Sequence, residues 1–262
     1  MPYAIQGKVI SNVSLNHQVY RMEIECPDIA NEAYPGQFIQ IGSSNEASPL
    51  LNRPISIARI IPGGLQIMYA VVGPGTLQLS RKQEEDKLKI IGPLGHGFSW
   101  TAEMKKVLLV GGGIGVAPLH ALAEALYEEQ VEIHTILGFN SQKDVFSQEQ
   151  LAKWSKKLWV TTMDGTCGIK GHACTPLEGL VSISEYDHVY ACGPKPMLKA
   201  LAKICNTRHI PCSLSMEEYM ACGIGVCLGC VTRILNQNQE ETYERVCVEG
   251  PVFSSREVVF DD

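Results

Sequence analysis

Four cysteines near the C-terminus are spaced as a ligand set: Cys222-x4-Cys227-x2-Cys230, with Cys247 in a separate stretch further on. The first three sit in Ala-Cys-Gly-Ile-Gly-Val-Cys-Leu-Gly-Cys, where Gly223, Gly225 and Gly229 let the backbone fold closely and aim amide hydrogens at sulfur. Thiolates in this order hold two-iron, two-sulfide (2Fe-2S) clusters. The competing chemistries are a structural zinc, a disulfide pair, and buried thiols with no ligand. Zinc usually draws its cysteines from two separated pairs with short spacers, so three thiols crowded into one glycine-rich loop fit a cluster better. Residues 231–235 and 242–248 read as strands joined by the polar run 236–241, and such a hairpin carries Cys247 back to the other three.

The elements that must position these ligands fit a chain of 262 residues with 45% apolar content, enough for two domains and a small appendage. We expect divisions at 1–99, 100–210 and 211–262. A formal charge of −6 without a Lys/Arg block argues against nucleic acid as a partner. No apolar run reaches membrane-spanning length. No charged n-region followed by an apolar run and cleavage site stands at the start, so a reducing, cytoplasmic setting is expected and disulfides are not. Cys26, Cys167, Cys174, Cys205 and Cys212 lack ligand spacing and read as core or surface thiols.

In the first third, short apolar strands are expected at 8–13, 19–25, 37–41, 55–59, 65–71 and 88–91. Pro35-Gly36, Pro62-Gly63-Gly64 and Gly92-Pro93 punctuate them, the pattern of an antiparallel six-stranded barrel. A short helix is expected after Gly73-Pro74-Gly75-Thr76, and its first amides make a ready site for a pyrophosphate. Just ahead lies Arg53-Pro54-Ile55-Ser56, whose guanidinium can pair with phosphate oxygens. Taken alone, that stretch also reads as an edge strand with a surface Arg.

After Lys105-Lys106 the pattern becomes strand and helix in alternation. The apolar run 107–110 leads into Gly111-Gly112-Gly113-Ile114-Gly115, and then Leu119, Leu122, Ala123 and Leu126 recur at helical spacing. A glycine turn between a parallel strand and a helix admits a dinucleotide phosphate, although the spacing is not that of the Rossmann fingerprint and packing alone is the competing reading. Further strands are expected at 133–137, 158–163 and 188–191, the last running into Cys192-Gly193-Pro194. Asp164 ends another strand and is expected in the same crevice. The stretch 138–143 lacks an Arg cluster for a 2′-phosphate, which favours NAD over NADP.

The succession of an Arg-x-x-Ser strand, a strand bearing Tyr69 and a Gly-Thr helix start resembles the ferredoxin reductase superfamily. The resemblance implies a β plus α/β chain: a flavin-binding barrel, a parallel-sheet nicotinamide-binding domain and a small C-terminal 2Fe-2S domain. It implies FAD held by Arg53, Pro54, Ile55, Ser56, Met68, Tyr69, Ala70, Gly75 and Thr76. It implies NAD at Gly111, Gly112, Gly113, Gly115, Asp164, Cys192, Gly193 and Pro194, with Cys192 a contact and not a nucleophile. With Met216-Glu-Glu-Tyr-Met-Ala-Cys222 and Cys247-Val-Glu-Gly-Pro-Val-Phe253 added, the chain resembles the electron-transfer subunits of B-type dihydroorotate dehydrogenases. These imply an FMN-containing catalytic partner, a heterotetramer of two of each chain, and electron flow through the cluster and FAD to NAD+ in pyrimidine biosynthesis. A hydrogenase- or ferredoxin-linked NAD(P)H oxidoreductase subunit and a zinc-stapled binding module are the alternatives. Ala70 stands where the family often carries Arg, and the loop Gly73-Pro74-Gly75 is tighter than usual, both of which bear on FAD affinity.

Overall fold

Strict alternation of apolar side chains over short runs builds the first layer of the computed structural model, which describes residues 2–43 and 51–260. Strands β1 (Tyr3–Ser14), β2 (Val19–Glu25), β3 (Phe38–Ser43), β4 (Arg53–Ile61), β5 (Gly64–Ala70) and β6 (Lys87–Leu94) close into a barrel in the order β1-β2-β5-β4-β3-β6. Inward residues such as Met22, Ile24, Ile39, Ile41, Ile57 and Ile67 fill it, and closure leaves no unpaired edge. The helices α1 (Pro27–Glu32) and α2 (Pro74–Ser80) lie in its connections. All six expected strands form. β1 is longer than the apolar pattern indicates because its polar first half pairs with β6, from Tyr3 opposite Gly92 to Lys8 opposite Lys87.

A seven-stranded sheet follows, ordered β10-β9-β8-β7-β11-β12-β15. Its members are β7 (Lys106–Gly112), β8 (Glu132–Phe139), β9 (Lys157–Thr162), β10 (Ile169–Lys170), β11 (His188–Cys192), β12 (Cys212–Ser215) and, much later in the chain, β15 (Val252–Ser254). The first six run parallel, connected in part by α3 (Leu119–Glu128), α4 (Gln148–Ala152) and α5 (Lys195–Thr207). Between β12 and β15 the chain leaves the sheet, builds the cysteine loop and the hairpin β13 (Val231–Leu235) and β14 (Glu241–Arg245), and returns antiparallel with Leu214 opposite Phe253. The C-terminal segment is thus anchored by the nicotinamide-type sheet and not by its own core. It is also tied to the barrel's exit, where the His96 N–H donates to the Gly250 carbonyl at 2.6 Å.

One apolar core joins all three parts. Phe38 and Leu94 of the barrel, Leu198 and Leu201 of α5, Leu214, Phe253, and the thiols Cys230 and Cys247 belong to the same buried cluster. A second core packs α3 against the barrel through Ala58, Met68, Leu119 and Leu122. The Arg59 guanidinium bonds the Glu124 carboxylate across that interface, with Nε to Oε2 at 2.9 Å. All ten cysteines are free; Cys26, Cys174, Cys205 and Cys212 are buried and Cys167 is half-buried, as small hydrophobes. No described helix is long and apolar enough to cross a membrane.

Phe253→Ala removes a 5%-exposed ring from the shared core and from the register that returns the chain to the sheet. Chemical denaturation is expected to show a loss of about 3–5 kcal/mol.

Candidate functional site

The cysteine loop is held from both ends of the hairpin. The Val246 N–H donates to the Cys230 carbonyl at 2.9 Å, which places Cys247 beside Cys230, and Arg245 Nη1 donates to the Gly225 carbonyl at 2.9 Å. The second strand ends at Arg245, short of the expected 242–248, so Cys247 sits in the turn after it. Gly223 and Gly225 adopt φ of +69° and +85°, a left-handed backbone that curls the loop. Amides then point at sulfur: Cys227 N–H reaches Cys222 Sγ at 3.4 Å and Gly229 N–H reaches Cys227 Sγ at 3.4 Å. Burial pushes the Cys222 thiol up, but the amides of Cys227, Ile224 and Val226 outweigh it and lower the thiol to about 6. Burial and then the neighbouring Cys230 thiol push Cys247 up to about 12.

Cys222 thus lies beside Cys227 on the outer side of the loop, and Cys230 and Cys247 are both buried. Among the described residues no three His, Cys, Asp or Glu side chains converge as ligands of a single ion. Two such pairs suit two irons that each take two thiolates.

Next to the loop, a cleft of about 370 Å³ is lined by Arg53, Pro54, Ile55, Ser56, Met68, Tyr69, Ala70 and Thr76 from the barrel side and by Ser215, Met216, Glu217, Glu218 and Met220 on the other. A Cβ at Gly75 would stand 2.3 Å from Arg53 Nε, so the missing side chain lets the guanidinium lie across the start of α2. A guanidinium in that position can pair with phosphate oxygens. Two of these lining residues also bond within the protein. The Thr76 hydroxyl accepts from the Val72 N–H at 3.0 Å and donates to the Gly73 carbonyl, shaping the turn. Tyr69 is buried in the barrel core with its hydroxyl donating to Asn12 Oδ1 at 2.9 Å.

A second cleft of about 280 Å³ lies beyond Ala70 and Ile114, which line both. It is bounded by Gly112, Gly113, Pro194 and Met197 at the strand ends, and by Gln18 and Val19 of the barrel. A Cβ at Gly115 would meet the Cys192 carbonyl at 2.6 Å, and one at Gly112 would meet Met197 Sδ at 2.7 Å, so the glycine turn and the Cys192–Pro194 turn interlock. Gly111 packs beneath, against Val116. Cys192 is fully buried, and burial pushes its thiol up, away from nucleophilic thiolate character. Asp164 lies in an open recess that adjoins this cleft through His17, Asn140 and Asp144, and there Thr166 N–H and Oγ1 donate to it at 3.0 and 2.7 Å. Those bonds, the hydroxyl first, hold its carboxyl below the usual range. Sequence reasoning missed Ile114, Met216 and Pro251, which carry no polar signal and line the larger cleft only through the fold.

Residues 217–259 match the family described as "Iron-sulfur cluster binding domain of dihydroorotate dehydrogenase B", and residues 109–203 match "Oxidoreductase NAD-binding domain". The dihydroorotate dehydrogenase B (NAD(+)) electron transfer subunit of Caldanaerobacter subterraneus subsp. tengcongensis is 40% identical over 99% of this chain and 100% of its own length. That of Geobacillus sp. (strain WCH70) is 38% identical over 97% and 98%. Among solved structures, a chain of an NADH-dependent reduced ferredoxin-NADP oxidoreductase aligns with a TM-score of 0.83 at 31% identity, over 97% of this chain and 89% of its own. A ferredoxin NADP+ reductase from Neisseria gonorrhoeae, solved with bound FAD and NADP, aligns at 0.66 and 16% identity over 78% of this chain and 91% of its own, and shows the fold alone.

Because Gly115 has no room for a Cβ, Gly115→Ala is expected to prise the two turns apart and weaken dinucleotide binding at the smaller cleft by about tenfold or more, with flavin content unchanged. Equilibrium titration with a nicotinamide dinucleotide, beside the flavin absorbance, checks both halves.

Proposed function

The chain belongs to the dihydroorotate dehydrogenase B (NAD(+)) electron transfer subunits, and from that premise we propose how its residues serve electron transfer to NAD+. One observation carries the proposal: the two clefts share walls, and the segment that lines the larger one leads into the cysteine loop. Ala70 and Ile114 separate the smaller cleft from the larger, and residues 215–220 of the larger run straight into Cys222. When bound, the 2Fe-2S cluster supplies single-electron transfer and FAD supplies the exchange between single electrons and a nicotinamide hydride.

Arg53 and the first amides of α2 hold the FAD diphosphate, while Pro54, Ile55 and Ser56 face its ring across from Met216 and Met220. Met68, Ala70 and the backbone around Tyr69, Gly75 and Thr76 complete that wall. The small side chain of Ala70 leaves the opening through which the nicotinamide approaches. Gly112, Gly113 and Gly115, over Gly111, let the NAD backbone come close, and Cys192, Gly193 and Pro194 close the other side with Cys192 as a protonated contact. Asp164, at the outer recess, is placed to meet the adenosine end. Cys222, Cys227, Cys230 and Cys247 ligate the cluster. In these terms residues 1–99 serve FAD, 100–210 serve NAD and 211–262 serve the cluster, with β12 and β15 lending the last part its anchor in the sheet.

Dihydroorotate is oxidised on a catalytic partner that carries FMN, and two copies of each chain assemble in the cytoplasm for pyrimidine biosynthesis. The cysteine loop supports this, because Ile224, Val226 and Leu228 are 47%, 76% and 61% exposed beside it and Tyr219 and Tyr243 are more than half exposed. Such an apolar rim around a cluster suits a covering subunit. The 0.83 TM-score likeness supports a second reading, a ferredoxin-linked reductase subunit.

The isolated chain is expected to pass electrons from NADH to an artificial acceptor and to leave dihydroorotate untouched until an FMN-bearing partner is added. Steady-state assays with and without that partner, and with ferredoxin in its place, distinguish the readings. Dihydroorotate oxidation by the chain alone contradicts the division of labour.

A further inference from the structure

Beneath the cysteine loop the barrel presents the side chain of Gln40. Ile39 and Ile41 of β3 point into the barrel, so the alternation turns Gln40 outward, onto the face that the loop covers. Gln40 is 0% exposed, and neither Nε2 nor Oε1 of its amide has a hydrogen-bond partner. Leaving a buried amide unpaired is unfavourable, so this one is available to a group that the polypeptide does not itself supply. Gly223, adjoining Cys222, packs on it: a Cβ there would stand 2.5 Å from Gln40 Nε2, with Cγ and Cδ at 2.6 and 2.9 Å. In the strand register Gln40 lies opposite Pro54 on one side and Ile91 on the other. It therefore occupies the contact between the flavin strand and the cluster loop.

We propose that Gln40 Nε2 donates a hydrogen bond to a sulfur of the cluster on its Cys222 side and thereby sets the cluster's reduction potential. The proposal rests on the cluster assignment above and goes beyond it by naming a tuning residue from outside the cluster segment. Sulfur at this site only accepts, so the amide is turned with nitrogen toward it. Reduction adds negative charge to the cluster sulfurs, and a donor stabilises the reduced form more than the oxidised one. Gln40 thus raises the potential and makes the cluster the easier acceptor.

The test uses the full chain loaded with FAD and cluster, as wild type, Gln40→Leu and Gln40→Glu. Iron content, the cluster midpoint potential by EPR-monitored titration, and the coupling of side-chain 15N from labelled glutamine are measured, with the flavin potential as internal reference. Gln40→Leu is expected to keep its iron, lose the 15N coupling and shift the cluster to a more negative potential while the flavin stays put. Gln40→Glu keeps the length but substitutes a carboxylate, so its cluster potential is expected to be more negative and to rise as pH falls. Should the Leu variant fail to fold, the Glu variant decides by the same readouts. Unchanged cluster potential and coupling in an iron-loaded variant overturn the inference while leaving the cluster assignment intact. A wild-type chain without iron overturns both, and iron analysis alone shows it.

Discussion

The structure depends on one strand pairing. β15 lies antiparallel on β12 at the edge of an otherwise parallel sheet, with Leu214 opposite Phe253. Everything between those strands is an excursion that begins and ends at fixed points, so the cysteine loop has a defined place although it has little secondary structure of its own. The Phe253 ring, the Cys230 and Cys247 thiols and Leu198 of α5 share one core. Burial of that core supplies the cohesion that a small metal-binding segment lacks by itself.

Because the anchor lies at the sheet's edge beside β11, the chain leaving β12 passes over the larger cleft before it reaches Cys222. Met216 and Met220 wall the cleft, and Gly223 comes down on Gln40 of the barrel. The barrel is fixed in turn by the α3 interface, where Ala58 and Met68 pack on Leu119 and Leu122 and Arg59 meets Glu124. Two apolar interfaces thus bring three sites into line. Electron transfer requires such closeness together with exclusion of water, and neither demands catalytic acids or bases from this chain.

Local pattern made much of this legible. Period-two alternation shows all six barrel strands, the Gly111–Gly115 turn follows a buried apolar run, and the cysteine spacing marks the segment that matches an iron-sulfur cluster binding domain. What stayed hidden depends on which surfaces meet. Gln40 reads as an outward strand residue and is outward, yet a loop far along the chain covers it. Tyr69 shares its alternation with Leu65 and Ile67, which is why it belongs to the barrel core while also lining the larger cleft. Asp164 lies in the turn two residues beyond the end of β9, where its bonds to Thr166 keep the carboxylate in the outer recess. The β12–β15 pair joins runs of four and three residues, too short to announce a partner across the intervening segment.

The central claim is that the smaller cleft, the larger cleft and the cysteine loop form one conducting series within a single chain. Its most direct test is anaerobic addition of NADH to the purified, FAD-loaded chain, followed by flavin absorbance and by EPR of samples frozen at successive times. The account predicts that the flavin bleaches and that the signal of a reduced two-iron cluster then rises without any partner protein. A flavin that bleaches fully beside a cluster that is present, reducible by dithionite, and silent to NADH would contradict it.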